Sequence, residues 1–371
     1  MTRRQPNGSI GPAVVPFFLP NAGCASRCVY CDQTAAAGPA PVNPGLEELE
    51  ACLRKASTGS SLPVEAAFYG ATFTGLPRAR QAELLDVTAA LRAEGLVARV
   101  RISTHPAHLD SERLSFLRER GVDVIELGIQ SFSDRVLSAA GRGITGAAAA
   151  DACRRVKEAG FETVVQLMPF LPESTLEEDL ESAGQAALLQ PDAVRIFPTL
   201  VLRGTPLAAL LESGRYRPAS LVEATLRVGK MLAPLFAAGI PVLRIGLQPS
   251  EKLEQALVAG PYHPALGELC RATWLASAIE AELRQRLAAG SSAGERQDAG
   301  ESRTVSVPRE LASLLAGHGK FGLAALENAT GGKWRVQVEK EGPDGGVAVP
   351  IGDNLSLKVY TAGVRVEKEP A

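Results

Sequence analysis

The feature that most limits the fold is a series of short, near-continuous apolar segments separated by stretches with helical periodicity. The apolar segments fall at Ala13–Leu19, Glu65–Tyr69, Ala98–Ser103, Val124–Gly128, Thr163–Met168, Ala193–Phe197 and Pro241–Leu247. Between most of them lie amphipathic patterns at Leu46–Lys55, Arg78–Glu94, Ser111–Arg120, Gly146–Ala159 and Thr175–Leu189, with Ser220–Ala238 before the last. Gly95, Gly121 and Gly160 follow three of these patterns, where a left-handed C-cap belongs. Strands that lack polar alternation are buried on both faces, so the alternation predicts a parallel sheet covered by helices. Six βα units and a possible seventh strand predict an α/β chain, folded as an open, partial (β/α)6 barrel of the TIM type. Reactive groups in such barrels sit at the C-terminal ends of the strands.

One of those ends stands apart chemically. Gly23-Cys24-Ala25-Ser26-Arg27-Cys28-Val29-Tyr30-Cys31-Asp32 follows the first apolar segment and places three thiols at C-x3-C-x2-C spacing. Thiolates on a loop can converge on an iron–sulfur cluster. Three ligands leave one iron of a four-iron cube without a protein ligand, and an open position goes with chemistry rather than with structure. A zinc site and three unrelated cysteines are the other readings. Zinc wants a fourth ligand, and no further His or Cys lies near in sequence.

The remaining composition excludes several classes. The chain has 371 residues and 46% hydrophobic content, enough for one large α/β domain and a small one. A net charge of −2 gives no global attraction to nucleic acid or anionic membrane, so any RNA contact is local. No run of 18 apolar residues exists and the first eight residues lack a signal-peptide core, which predicts a soluble, cytoplasmic protein with no membrane partner. Six cysteines in a chain this long are no disulfide framework. Cys52, Cys153 and Cys270 lie in helical patterns and read as core residues.

The cysteine spacing, with aromatic Tyr30 before the last Cys, resembles the signature of the radical S-adenosylmethionine (radical SAM) enzymes. The resemblance implies that Cys24, Cys28 and Cys31 bind a 4Fe–4S cluster whose free iron takes S-adenosylmethionine. It implies reductive cleavage to a 5′-deoxyadenosyl radical, and an electron donor of the flavodoxin or ferredoxin type. At the second strand end the family places a Gly-Gly turn for the methionine amino group. Here Gly70-Ala71-Thr72 stands there, so Gly70 and Thr72 are carried over, with Ala71 a departure.

The third strand end, Ser103-Thr104-His105-Pro106, lacks the carboxylate some relatives use for the ribose. His105 precedes a proline and reads, with His108, as a turn residue. At the fourth, Gln130 and the Arg142 of Gly141-Arg142-Gly143 suit the ribose hydroxyls and carboxylate of the bound nucleoside–amino acid, since an arginine forks onto carboxylate. Several radical SAM families use Gln and Arg in that way. Gln166 at the fifth strand end is a further candidate for the same pocket, and Tyr30 joins the cofactor set. Glu126 and Gln130, four apart, share one face of a regular strand.

Glu126–Ser131, Gly141–Thr145, Leu167–Pro172, Arg195–Leu202 and the Gly214-Arg215-Tyr216 turn narrow the likeness, over roughly residues 13–250, to the radical SAM catalytic subunit of Elongator, which modifies wobble uridine in tRNA. Two departures matter. The cysteine spacing is tighter, closer to the coproporphyrinogen-dehydrogenase branch. No segment reads as the acetyltransferase domain of that subunit.

The chain divides in this reading into a barrel (1–250), a helical extension and linker (251–300) and a small α+β C-terminal domain (301–371). The last resembles a KH module, whose G-x-x-G loop clamps single-stranded RNA. Its loop is Gly317-His318-Gly319-Lys320, with Lys320 where the second Gly belongs. Gly317, Gly319 and Lys320 are therefore the candidate RNA contacts; a β-rich cap is the other reading. Three functions follow: a radical SAM enzyme modifying RNA, with tRNA the expected partner; a radical SAM oxidoreductase on a small molecule such as a porphyrinogen; and a non-catalytic iron–sulfur RNA-binding protein.

Overall fold

The structure is a computed structural model that describes residues 3–4, 10–25, 27–38, 40–60, 62–288, 303–307, 315, 320–330, 333–338, 347–352, 355–360 and 363–368. Seven strands form one parallel sheet in the order of the chain: β1 (Val14–Phe18), β2 (Val64–Tyr69), β3 (Val97–Thr104), β4 (Val124–Gln130), β5 (Glu162–Leu167), β6 (Ala193–Ile196) and β7 (Val242–Ile245). The sheet is curled into a half-barrel, as the apolar alternation predicts. The seventh strand is present beside β6.

The helices that return the chain are α1 (Leu46–Thr58), α2 (Arg78–Ala93), α3 (Ser111–Glu119), α4 (Gly146–Glu158), α5 (Leu176–Leu189) and α6 (Leu221–Ala237). Their starts are capped by local chemistry. Asp110 and Thr145 accept from the third backbone N–H of α3 and α4, and Thr175 and Ser220 form full capping boxes with Glu178 and Glu223. Gly95, Gly121 and Gly160, which follow α2, α3 and α4, have φ of +76°, +75° and +77°. The core between sheet and helices is aliphatic: Leu84, Leu85, Leu117, Ile102, Ile125 and Val156 are all buried. Cys153 and Cys270 are buried and Cys52 is half-buried, all three as free thiols.

The chain forms two compact units, one of residues 1–219 and 242–264, the other of 220–241 and 265–371. In the second, α6 pairs with α7 (Leu266–Ala288). Gly229 lets the two backbones approach, since a Cβ there would lie 3.2 Å from the Thr273 side chain. Phe236 meets Trp274 edge-to-face at 4.7 Å. Beyond α7 the second unit holds a five-stranded mixed sheet and the helix Phe321–Thr330. Gly317 and Gly319 lie outside the described residues; Lys320 is exposed, with φ of +62°.

Candidate functional site

The cysteine loop is stitched to the end of β2 by backbone. Leu19 N–H donates to the Tyr69 carbonyl (2.9 Å), Asn21 N–H to Gly70 (2.8 Å), and Thr72 N–H to Ala22 (3.0 Å). The two turns then touch directly. A Cβ on Gly23, at φ +71°, would stand 2.3 Å from the Thr72 oxygen, and one on Gly75 would stand 2.2 Å from the Gly23 oxygen. Only glycine fits at both positions. A second anchor lies further along, where Val29 N–H donates to Ala140 (3.1 Å) and its carbonyl accepts from Leu207 N–H (2.8 Å). Tyr30 is buried there among Val136, Ala140, Met168, Leu171, Phe197, Leu207 and Tyr216, and burial pushes its phenol well above its ordinary pKa.

Each thiol meets a different protein group. Cys24 Sγ lies 3.3 Å from Thr72 Oγ1. Cys31 donates to Asn21 Oδ1 at 3.6 Å and accepts from Gln33 Nε2 at 3.5 Å. Arg142 Nη1 donates to Cys28 Sγ at 3.1 Å. Burial, then Cys28, pushes the Cys31 thiol up to about 11. Among the described residues no three His, Cys, Asp or Glu side chains are gathered closely enough to hold a metal as they stand. The thiols are turned onto Thr72, Gln33 and Arg142 rather than onto one another. The donor set is nevertheless all-sulfur and beside a buried guanidinium, which suits an anionic iron–sulfur group.

The other predicted residues are distributed around this loop. Arg142 is 8% exposed; its Nη2 donates to the Gly128 carbonyl, and its Nε is buried without a hydrogen-bond partner. His105 Nδ1 accepts from Ala107 N–H at 3.1 Å, so its Nε2 carries the proton and donates to the Arg142 carbonyl at 3.0 Å. Gln166 Nε2 donates to Gln130 Oε1 at 3.2 Å. Gln130 has φ +76° at a register slip between β4 and β5. At Gly128 the two meet: a Cβ would lie 3.2 Å from Gln130 Nε2 and 3.6 Å from Arg142 Nη2. Gly70 has φ +75° and faces Gln33 and Phe18.

Below this level lies a layer of charge that single-residue motifs did not single out as a group. Arg101 Nε pairs with Glu65 Oε1 at 2.5 Å and Arg101 Nη1 reaches Glu126 at 4.0 Å. Arg195 Nη1 bonds both Glu126 oxygens, at 3.1 and 3.0 Å. Arg195 Cζ also stands 5.2 Å from the Tyr69 ring centre. Since β2 and β6 are separated by three strands of about 4.8 Å spacing, that contact spans the hollow of the curled sheet. The signal was present in the sequence: Glu65, Arg101 and Arg195 interrupt otherwise apolar strands.

Residues 18–186 match the family model described as the radical SAM superfamily, and residues 191–274 match the Radical_SAM C-terminal domain. The chain belongs to the radical SAM superfamily. Elongator complex protein 3 of Mus musculus is 35% identical over 141 residues, 36% of this chain and 26% of that protein. The Homo sapiens protein of the same name is 34% identical over the same shares. The chain thus spans about a quarter of the length of the curated relatives it matches. The solved structure of the archaeal Methanocaldococcus infernus Elp3, with an N-terminal deletion, has a TM-score of 0.55 at 17% identity, over 94% of this chain and 73% of that one. This likeness shows a shared fold. The protein is accordingly a radical SAM enzyme, and the family implies a 4Fe–4S cluster and S-adenosylmethionine. Among the described residues no helix is long and apolar enough to cross a membrane.

Proposed function

We propose that this radical SAM enzyme modifies RNA, with tRNA as the substrate class, and that Cys24, Cys28 and Cys31 hold its cluster. The observation that carries the cluster assignment is the cysteine loop itself: three thiols at the barrel mouth, fixed from both sides by backbone, with Arg142 against Cys28. When bound, cluster and S-adenosylmethionine supply one-electron cleavage of the sulfonium and hence hydrogen abstraction from a substrate. The chain's own residues do the rest. Gln130, steadied by Gln166, would give its amide to the ribose hydroxyls of S-adenosylmethionine. Arg142 places a fixed positive charge beside the sulfurs. Gly70 and Thr72, in the turn against Cys24, would hold the methionine part of S-adenosylmethionine. Tyr30 fills the apolar wall behind the loop and keeps water from it.

The RNA reading is supported by the likeness to Elongator complex protein 3 and by the KH-like sequence segment around Lys320. The alternative, a small molecule such as a porphyrinogen, is favoured by the tight cysteine spacing and the net charge of −2. Two measurements separate the readings. Reconstituted protein given dithionite and S-adenosylmethionine releases 5′-deoxyadenosine; its absence overturns the cluster assignment. Crosslinked or copurifying tRNA whose yield falls with salt supports RNA, because phosphate contacts release counterions. Recovery of no RNA at low salt favours the small molecule.

A further inference from the structure

The charge layer inside the barrel leaves donors unanswered. Tyr69 Oη and Arg195 Nε are buried and have no hydrogen-bond partner, and Arg101 Nη1 has only the 4.0 Å ion pair with Glu126. Tyr69 as a whole is 9% exposed. A buried donor left without a partner is costly, and three in one layer call for an acceptor. Structural stability alone does not explain them, because an apolar residue at any of these positions would avoid the cost.

The chemistry of the missing partner can be read from what is present. All three orphans donate: guanidinium nitrogens have no acceptor capacity. Burial holds the Tyr69 phenol above its ordinary pKa, against the pull of Arg195, so the hydroxyl keeps its proton. The layer's own carboxylates are directed at other guanidinium nitrogens than the orphaned ones. Glu126 gives both oxygens to Arg195, and Glu65 gives one to Arg101 and the other to Arg99 at 3.8 Å. A group with two acceptor oxygens and no hydrogens is matched to this layer.

The position adds the second half of the argument. Tyr69 is the last residue of β2, and its carbonyl accepts from Leu19 N–H just before the cysteine loop. Gly128 and Gln166 lie in register with Arg195 across β4, β5 and β6, which places Arg195 one strand from Gln166 and two from the Gly128 turn where Gln130 and Arg142 meet. The Arg195 guanidinium, flanked by the Tyr69 and Phe197 rings at 5.2 and 5.9 Å, is fixed in place rather than free to fold away.

We propose that Tyr69 and Arg195 form a carboxylate-binding subsite inside the barrel, which holds the acidic end of a small organic substrate or co-substrate beneath the cysteine loop. The tyrosine hydroxyl donates to one oxygen and Arg195 Nε to the other; Glu126 keeps the guanidinium oriented. This subsite is defined without the cluster and without RNA, so its failure leaves the proposed function standing.

The test is a titration of the full chain with sodium acetate at constant ionic strength, followed by calorimetry and saturation-transfer NMR, with uridine as a second arm. Wild type binds acetate saturably. Tyr69→Phe and Arg195→Gln each weaken it by about tenfold or more, as the loss of a hydrogen bond to a charged group requires. Tyr69→Phe keeps the ring and its packing, so it decides the matter should Arg195→Gln unfold by orphaning Glu126; the Arg195→Gln, Glu126→Gln pair gives a second folded background. Absence of saturable acetate binding, or equal binding by wild type and Tyr69→Phe (an adventitious additive only), overturns the proposal. So does binding of uridine but not acetate that the same variants lose, which would make the subsite a carbonyl reader.

Discussion

The Arg142 guanidinium donates from Nη1 to the Cys28 sulfur at 3.1 Å, across 114 residues of sequence. Three further bonds hold the arginine. Its backbone N–H donates to Leu137 (2.9 Å), its carbonyl accepts from His105, and its Nη2 is bonded to Gly128. A charge this fixed does not follow the sulfur; it sets the sulfur's surroundings.

The first expected consequence is electrochemical. Reduction adds negative charge to the iron–sulfur group, and a buried cation beside a ligand sulfur favours the reduced form. Arg142→Gln is expected to lower the midpoint by about 59 mV, a tenfold change for a one-electron couple. Arg142→Lys keeps the charge and shifts it less. Redox titration followed by electron paramagnetic resonance reads both; coincident midpoints for wild type and Arg142→Gln would refute the electrostatic role.

A second consequence concerns the loop's backbone. Gly23 combines φ +71° with a Cβ position 2.3 Å from the Thr72 oxygen. Gly23→Ala bears about 1–2 kcal/mol for the left-handed backbone alone, and the clash adds to it. The two turns must separate, so the variant is expected to bind less iron after reconstitution and to melt earlier. Gly239→Ala, with φ +70° but open space around its Cβ, is the control for backbone strain without the clash. Equal iron content in the two variants would show that the contact between the turns is dispensable.

How much of this was legible in the sequence depended on the range of the interaction. Strands and helices were legible because each is written in local periodicity, and Asp110, Thr145 and Thr175 mark helix starts within three residues. The cysteine loop was legible because its three thiols are close in sequence. What was hidden is lateral. Nothing near Glu65 names Arg101, and nothing near Tyr69 names Arg195; only the curl of the sheet brings β2 and β6 together. Nor does anything near Arg142 name Cys28, whose sulfur its Nη1 reaches. The sequence spacing also hid that α6 belongs with α7, because α6 lies between two strands of the same sheet.

The third prediction separates shape from charge at Lys320. Its φ of +62° is one that glycine adopts without penalty, as the second glycine of a G-x-x-G loop would. Lys320→Gly is expected to leave the melting temperature unchanged or higher. Lys320→Glu is expected to weaken tRNA binding at low salt severalfold, and to flatten its salt dependence by about one counterion. Filter binding across a salt series measures both. Full affinity in Lys320→Glu would remove this residue from the RNA surface.

The last prediction is a pH dependence with a definite sign. Burial, then the charge of Arg142, lowers His105 from 6.5 to about 4 in the folded protein. Its Nδ1 accepts from Ala107 N–H, and protonation there would destroy that bond. The unfolded chain therefore binds a proton below about pH 6.5 that the folded chain refuses until about pH 4. Stability rises with pH wherever the unfolded state holds more protons. Acidification from pH 7 toward 4 is thus expected to lower the urea midpoint through this group. His105→Asn retains a side-chain acceptor for the turn but does not titrate, so its midpoint should fall less over the same interval. Parallel slopes for wild type and His105→Asn would mean that His105 is not the titrating group.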